Sequence, residues 1–154
     1  MTINDQEMQA WCEVLLAGHS GAPTWQLGDY LNTIPGMSSL EDLPAGTKVL
    51  VRGDVDAKPG LQVGEGDIRL QSMIQTVTFG REHGWKQIIF GHIGRKPEGS
   101  LSKVAARLGE LLECEVPLVT DWLDESELKV REAATHKIDT APEGSVIMLE
   151  NTRR

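Results

Sequence analysis

From Thr47 onward, short apolar runs alternate with longer stretches in which apolar residues recur at helical spacing. The runs TKVLVRG, KQIIFG, EVPLV and SVIML are bounded by glycine, proline or charge, the pattern of buried strands. Between the first two, Leu70, Met73, Ile74 and Val77 share one helical face before Gly84. Between the second and third, Leu101, Val104, Ala105, Leu108, Leu111 and Leu112 share another. A third helix is predicted from Asp124 to about Ala134, opening with Asp-x-x-Glu over a weaker stripe. Strands alternating with helices pair in parallel through crossover connections. The predicted fold is therefore α/β, an open doubly wound parallel sheet of Rossmann-like three-layer α/β/α type.

Upstream, Met8, Trp11, Cys12, Leu15 and Leu16 form one stripe, which predicts an amphipathic helix over 4–17, opened by Asn4 with Glu7 and closed by Gly18. Residues 18–39 are rich in Gly, Pro, Ser and Thr and predict loop with a short helical turn around Trp25 to Leu31. The chain divides on this pattern into an N-terminal extension, 1–38, and a domain, 39–154.

Composition narrows the function. The chain has 154 residues, 40% of them hydrophobic, enough for a domain with a real core. The formal net charge of -8 argues against the broad basic face that nucleic acid requires, and against an anionic membrane surface. A few converging cations can still bind a small anion. Cys12 and Cys114 form no CxxC, and His19, His83, His92 and His136 have no metal-ligand spacing. No secretory signal or spanning segment is visible, so a reduced cytoplasmic protein is expected. No metal and no cofactor is expected in this chain.

In an open parallel sheet the residues just past the strands gather at one edge. Those residues are Arg52-Gly53-Asp54-Val55-Asp56 after the first strand, His92 and Arg95 after the second, Thr120-Asp121 after the third, and Glu150-Asn151-Thr152-Arg153 after the fourth. Arg69 begins the helix after the first strand. Guanidinium groups match carboxylate or phosphate oxygens, helix N-termini add partial positive charge, and Asp54 can accept from a hydroxyl. A small molecule with anionic ends and a hydroxyl between them fits this set. Structural alternatives stand beside it. Arg52 ends a strand and could pair with a carboxylate, Asp121 could cap a turn, Glu150 and Asn151 could hold the loop, and Lys96 and Arg154 could be surface cations. Gly64-Glu65-Gly66 lacks the third glycine of a dinucleotide fingerprint, and GHIGRKPEGS lacks the spacing of a P-loop.

Four stretches resemble phosphoglycerate kinases, in that family's order. VLVRGDVDAKPG is similar to its VLVRVDFNVP strand and loop, and GDIRL to its D-x-R-I element. FGHIGRKPEGSLSKVAARLGELL is similar to its SHLGRP loop with the helix that follows, and GSVIMLENTRR to its GDV-x-LLEN-x-RF strand and turn. The resemblance implies part of the N-terminal, 3-phosphoglycerate-binding domain of a glycolytic enzyme that transfers a phosphoryl group between 1,3-bisphosphoglycerate and ADP. Carried over by motif, Arg69 is the catalytic arginine, and Asp54, Asp56, Arg69, His92, Arg95 and Arg153 bind substrate. Mg-ATP or Mg-ADP is implied only for a complete family member. The implied ligands are 3-phosphoglycerate or 1,3-bisphosphoglycerate, with a separate nucleotide-binding half as a partner and this chain as a truncated form that does not turn over alone. The alternatives are a non-catalytic module for small phosphorylated acids and an interaction protein that keeps only the fold.

Departures from the pattern concentrate in the loops. Asp56 stands where the family has asparagine, Val55 where it has phenylalanine, and Arg154 where it has a final phenylalanine; Ala57-Lys58 and Lys96 displace prolines. A carboxylate at 56 only accepts hydrogen bonds and would repel a substrate carboxylate. At an effective dielectric of ~20 and a separation of ~4 Å that repulsion is on the order of 4 kcal/mol. Such a penalty corresponds to roughly a thousandfold in affinity.

Overall fold

The computed structural model describes residues 10, 35–58 and 67–153. The chain forms two compact units, Met1–Asp42 and Leu43–Arg154. In the first, Met37–Leu40 is a short 3-10 helix. The helix predicted over 4–17, the turn around Trp25 to Leu31 and the Gly64-Glu65-Gly66 stretch lie outside the described residues.

The second unit runs β1 (Lys48–Arg52), α1 (Ile68–Glu82), β2 (Lys86–Phe90), α2 (Ser102–Leu112), β3 (Leu118–Val119), β4 (Leu123–Asp124), β5 (Lys129–Val130), α3 (Glu132–Asp139) and β6 (Val146–Leu149). A four-stranded sheet has the order β1-β2-β6-β3, and every pairing in it is parallel. Leu50 lies beside Ile88, Ile88 beside Ile147, and Leu118 beside Met148. β6 inserts between β2 and β3, and all of its residues are buried, as a strand covered on both faces requires. β1 is an edge strand among the described residues, and its Leu50 is exposed.

Alternation along the strands sorts the core into two layers. Ile89, Val146 and Met148 face one side, where they pack with Leu70, Met73 and Val77 of α1 and Val104, Ala105, Leu108 and Leu112 of α2. Ile88, Ile147 and Leu149 face the other, with Val119, Ala134 of α3 and the partly buried Trp122. The sheet is thus sandwiched between helices, the predicted three-layer α/β class. Replacing a fully buried side chain such as Leu108 by alanine would cost about 2–5 kcal/mol.

Two predicted elements are corrected. The third helix does not begin at Asp124: β4 and β5 form an antiparallel hairpin there, and the helix runs from Glu132 to Asp139. Asp124 Oδ1 accepts from the Ser126 backbone N–H at 2.9 Å and from its hydroxyl at 2.6 Å, which closes a turn before a helix can start. Leu128 then reverses the chain in the left-handed region at φ 53. The third strand is shorter than EVPLV, because Pro117 has no N–H to give the ladder; its carbonyl accepts from Met148 N at 3.0 Å, and paired residues begin at Leu118. No described helix is long and apolar enough to cross a membrane.

Candidate functional site

The carboxyl ends of β1 and β2 lie side by side, and the segments leaving them open a cleft of about 300 Å³. Its lining is Arg52, Gly53, Asp54, Val55, Asp56, Arg69, Gly91 and His92. After β1 burial alternates along the chain: Val55 and Ala57 are buried in the core, while Asp54 is exposed and Asp56 half-buried. Packing of the two apolar residues therefore aims the two carboxylates outward. Gly53 N donates to Phe90 O at 2.9 Å, carrying the β1–β2 ladder one step past the strands. Gly91 permits this approach, since a Cβ there would lie 2.6 Å from Val55 Cγ2 and 2.8 Å from Gly53 O.

Arg69 sits in the first turn of α1 and its Nη1 donates to Asp54 Oδ1 at 3.0 Å. Both side chains are about half exposed, so the pair remains accessible to a ligand. The start of α1 is tied to α2, where Arg107 Nε and Nη2 both donate to Asp67 Oδ2, at 3.0 and 2.6 Å. Those bonds from Arg107 hold the Asp67 carboxyl below the usual carboxylate range.

The second loop, Gly91 to Leu101, is bound to the first and to the end of β6. Asp56 Oδ1 accepts from Gly94 N at 2.9 Å, and Arg153 Nη1 donates to Gly94 O. Gly94 adopts φ 64, a left-handed conformation that glycine takes without penalty. Glu150 and Asn151 are both 1% exposed and both face this loop. Glu150 Oε2 accepts from Ser100 Oγ and its Oε1 from Leu101 N, each at 2.8 Å. Asn151 bonds Ile93 and Gly99.

Asp54, Asp56, Arg69 and His92 therefore share one cleft. Arg153 lies beside it on the Gly94 carbonyl. Arg95, the next residue in the loop, is exposed and makes no hydrogen bond or ion pair with a described residue. Arg52, which its position at the end of a strand marks as a structural cation, instead lines the cleft without an ion pair to a described residue. Its place directly after the apolar run and before Gly53-Asp54 is the signal in sequence that points to this. The third strand end contributes nothing to the lining, and Asp121 pairs with Arg131 Nε at 2.9 Å. At the N-terminus of α2 the Leu101 and Ser102 N–H groups are taken by Glu150 and Ser100.

Fold and site together define the class: an open parallel α/β domain with a mixed-charge cleft where its strands end. A family model for phosphoglycerate kinase matches residues 40–154. The phosphoglycerate kinase of Bifidobacterium longum (strain DJO10A) is 38% identical over 124 residues, an alignment covering 76% of this chain and 29% of that protein. That of Bifidobacterium adolescentis is 37% identical over the same length and shares. Among solved structures, phosphoglycerate kinase from Pyrococcus horikoshii is similar with TM-score 0.57 and 27% identity, covering 71% of this chain and 26% of that one. The Coxiella burnetii enzyme gives TM-score 0.54 at 26% identity, with 76% and 28% covered. This chain belongs to the phosphoglycerate kinase family, and it spans 29% of the length of the curated relatives it matches.

Proposed function

We propose that the cleft binds 3-phosphoglycerate and 1,3-bisphosphoglycerate, and that the chain serves the phosphoglycerate side of phosphoryl transfer to and from ADP. The observation that carries this is the meeting of Arg52, Asp54, Asp56, Arg69 and His92 in one cleft, with the Arg153 guanidinium beside it. Arg69 and Arg52 offer forked donors to anionic oxygens, Arg95 and Arg153 add positive charge along the second loop, His92 supplies a ring N–H, and Asp54 accepts from a hydroxyl.

In the reaction the acyl-phosphate O–P bond of 1,3-bisphosphoglycerate breaks as a β-phosphate oxygen of ADP bonds the same phosphorus, leaving a carboxylate. The protein's work in such a transfer is positioning and charge stabilisation. Arg69, released from Asp54, is the group that neutralises charge on the transferring phosphoryl. A separate nucleotide-binding half would hold Mg-ADP or Mg-ATP and supply the phosphoryl acceptor or donor, and the cytoplasm is the compartment where these substrates meet the protein.

Isothermal titration with 3-phosphoglycerate tests the assignment. Saturable heat whose affinity falls about tenfold or more in Arg69→Ala supports it, and absence of heat at millimolar ligand rejects it. A coupled ATP assay with a supplied nucleotide-binding half tests turnover.

A further inference from the structure

The loop from Gly91 to Leu101 carries His92, Arg95 and Lys96 and contains no helix or strand. Its shape is imposed from the end of β6. Asn151 is 1% exposed and turns all of its polar atoms onto this region. Its Nδ2 donates to Gly99 O at 2.9 Å and, more weakly, to Ile93 O at 3.4 Å. Its Oδ1 accepts from Ile93 N at 3.3 Å and from Arg153 N at 3.2 Å. Ile93 and Gly99 are the two ends of the segment that presents Arg95, so one carboxamide closes that segment on itself. The same oxygen fixes the backbone of Arg153, whose guanidinium reaches Gly94 O near the start of the segment.

We infer that Asn151 is a positioning residue of the anion cleft: it clasps Ile93 to Gly99, and thereby sets where His92, Arg95 and Arg153 stand. For the ligand, the inference rests on the phosphoglycerate assignment above; the clasp itself does not. Burial and four internal hydrogen bonds leave Asn151 nothing to offer a ligand directly. A carboxamide is required, because the site needs an acceptor for two N–H groups and a donor for two carbonyls in one short side chain. An aspartate keeps the acceptors but turns a charge toward Gly99 O and Ile93 O. Gly99 supplies the opposite jaw: a Cβ there would lie 3.0 Å from both Ile93 O and Ile93 Cγ2, and 3.4 Å from Asn151 Nδ2. Gly99→Ala therefore strains the clasp without removing it.

The test compares wild type, Asn151→Asp, Gly99→Ala and Thr140→Val by amide hydrogen exchange and by titration with 3-phosphoglycerate. Thr140 is the control. It donates to His136 O at 2.8 Å at the end of α3 and takes part in neither the clasp nor the cleft. In both clasp variants, amides of residues 94–99 should exchange about tenfold faster or more while those of α1 and β2 keep their protection. The dissociation constant should rise about tenfold to a hundredfold, the usual cost of misplacing binding groups by an ångström. Thr140→Val should stay within about twofold of wild type. Unchanged loop exchange in folded Asn151→Asp and Gly99→Ala overturns the clasp. A loosened loop with unchanged affinity overturns the link to the cleft, and lost affinity with a rigid loop overturns positioning in favour of direct contact. If wild type itself shows no heat with 3-phosphoglycerate, the ligand assignment fails, and loop exchange alone then decides for or against the clasp.

Discussion

Asp56→Asn is the substitution that most directly tests the charge balance of the cleft. Asp56 lines the cleft half-buried, and its Oδ1 already accepts from Gly94 N at 2.9 Å. A ligand anion seated ~4 Å away would be repelled by about 4 kcal/mol at an effective dielectric of ~20 and by about 1 kcal/mol in water. Partial exposure and the Gly94 N–H, which offsets some charge on one oxygen, place the penalty in the lower part of that interval, about 1–2 kcal/mol. Asparagine would keep the acceptor for Gly94 N and add donors facing the ligand. The variant should therefore bind 3-phosphoglycerate about 5- to 30-fold more tightly than wild type. That gain is well below the thousandfold suggested by a bare Coulomb pair. Calorimetric titration at two ionic strengths provides the measurement, and the difference between the proteins should shrink as salt rises. Equal or weaker binding by folded Asp56→Asn would refute the reasoning, as would an advantage indifferent to salt.

Three further outcomes follow from the same geometry. Arg69→Ala removes an accessible ion pair with Asp54, so thermal denaturation should register less than about 1 kcal/mol, whereas 3-phosphoglycerate affinity should fall about tenfold or more. Gly91→Ala forces a methyl against Val55 and the Gly53 carbonyl and should cost about 1–3 kcal/mol in urea unfolding. Asp67, Asp124 and Asp139 are held below the usual carboxylate range, chiefly by hydrogen bonds from Arg107, Ser126 and Lys48. Their folded-state pKa values lie below the unfolded ones, so their contribution is complete at neutral pH. It is lost as pH falls below about 4 and through the folded values. Arg107→Met should flatten that acid limb of the stability–pH curve, and an unchanged limb would count against the pair.

The alternation of apolar runs and helical stripes was sufficient for the α/β class because each strand and each helix announces its buried face locally. Val55 and Ala57, alternating with Asp54 and Asp56, show the same logic at the site, where the period of two that buries the apolar pair also turns the acidic one toward the cleft. Local signals misled where a short polar side chain chose between two local bonds. Asp124 satisfied the helix-start pattern of Asp-x-x-Glu, yet its carboxylate closed a hairpin turn instead. For Glu150 and Asn151, both roles were open on sequence, and burial decided for holding the loop.

The amino-acid sequence by itself determined the layers, the parallel pairing and the set of charged residues that leave the strand ends, since these depend on spacing between neighbours. Only the tertiary structure decided that Asp56 and Arg153 hold the Gly94 N–H and carbonyl, that Glu150 binds the start of α2, and that Asn151 clasps the loop. Those contacts join residues 38 to 59 positions apart. Their geometry exists only once β1 and β6 have been seated on either side of β2, because no local preference links groups so distant along the chain.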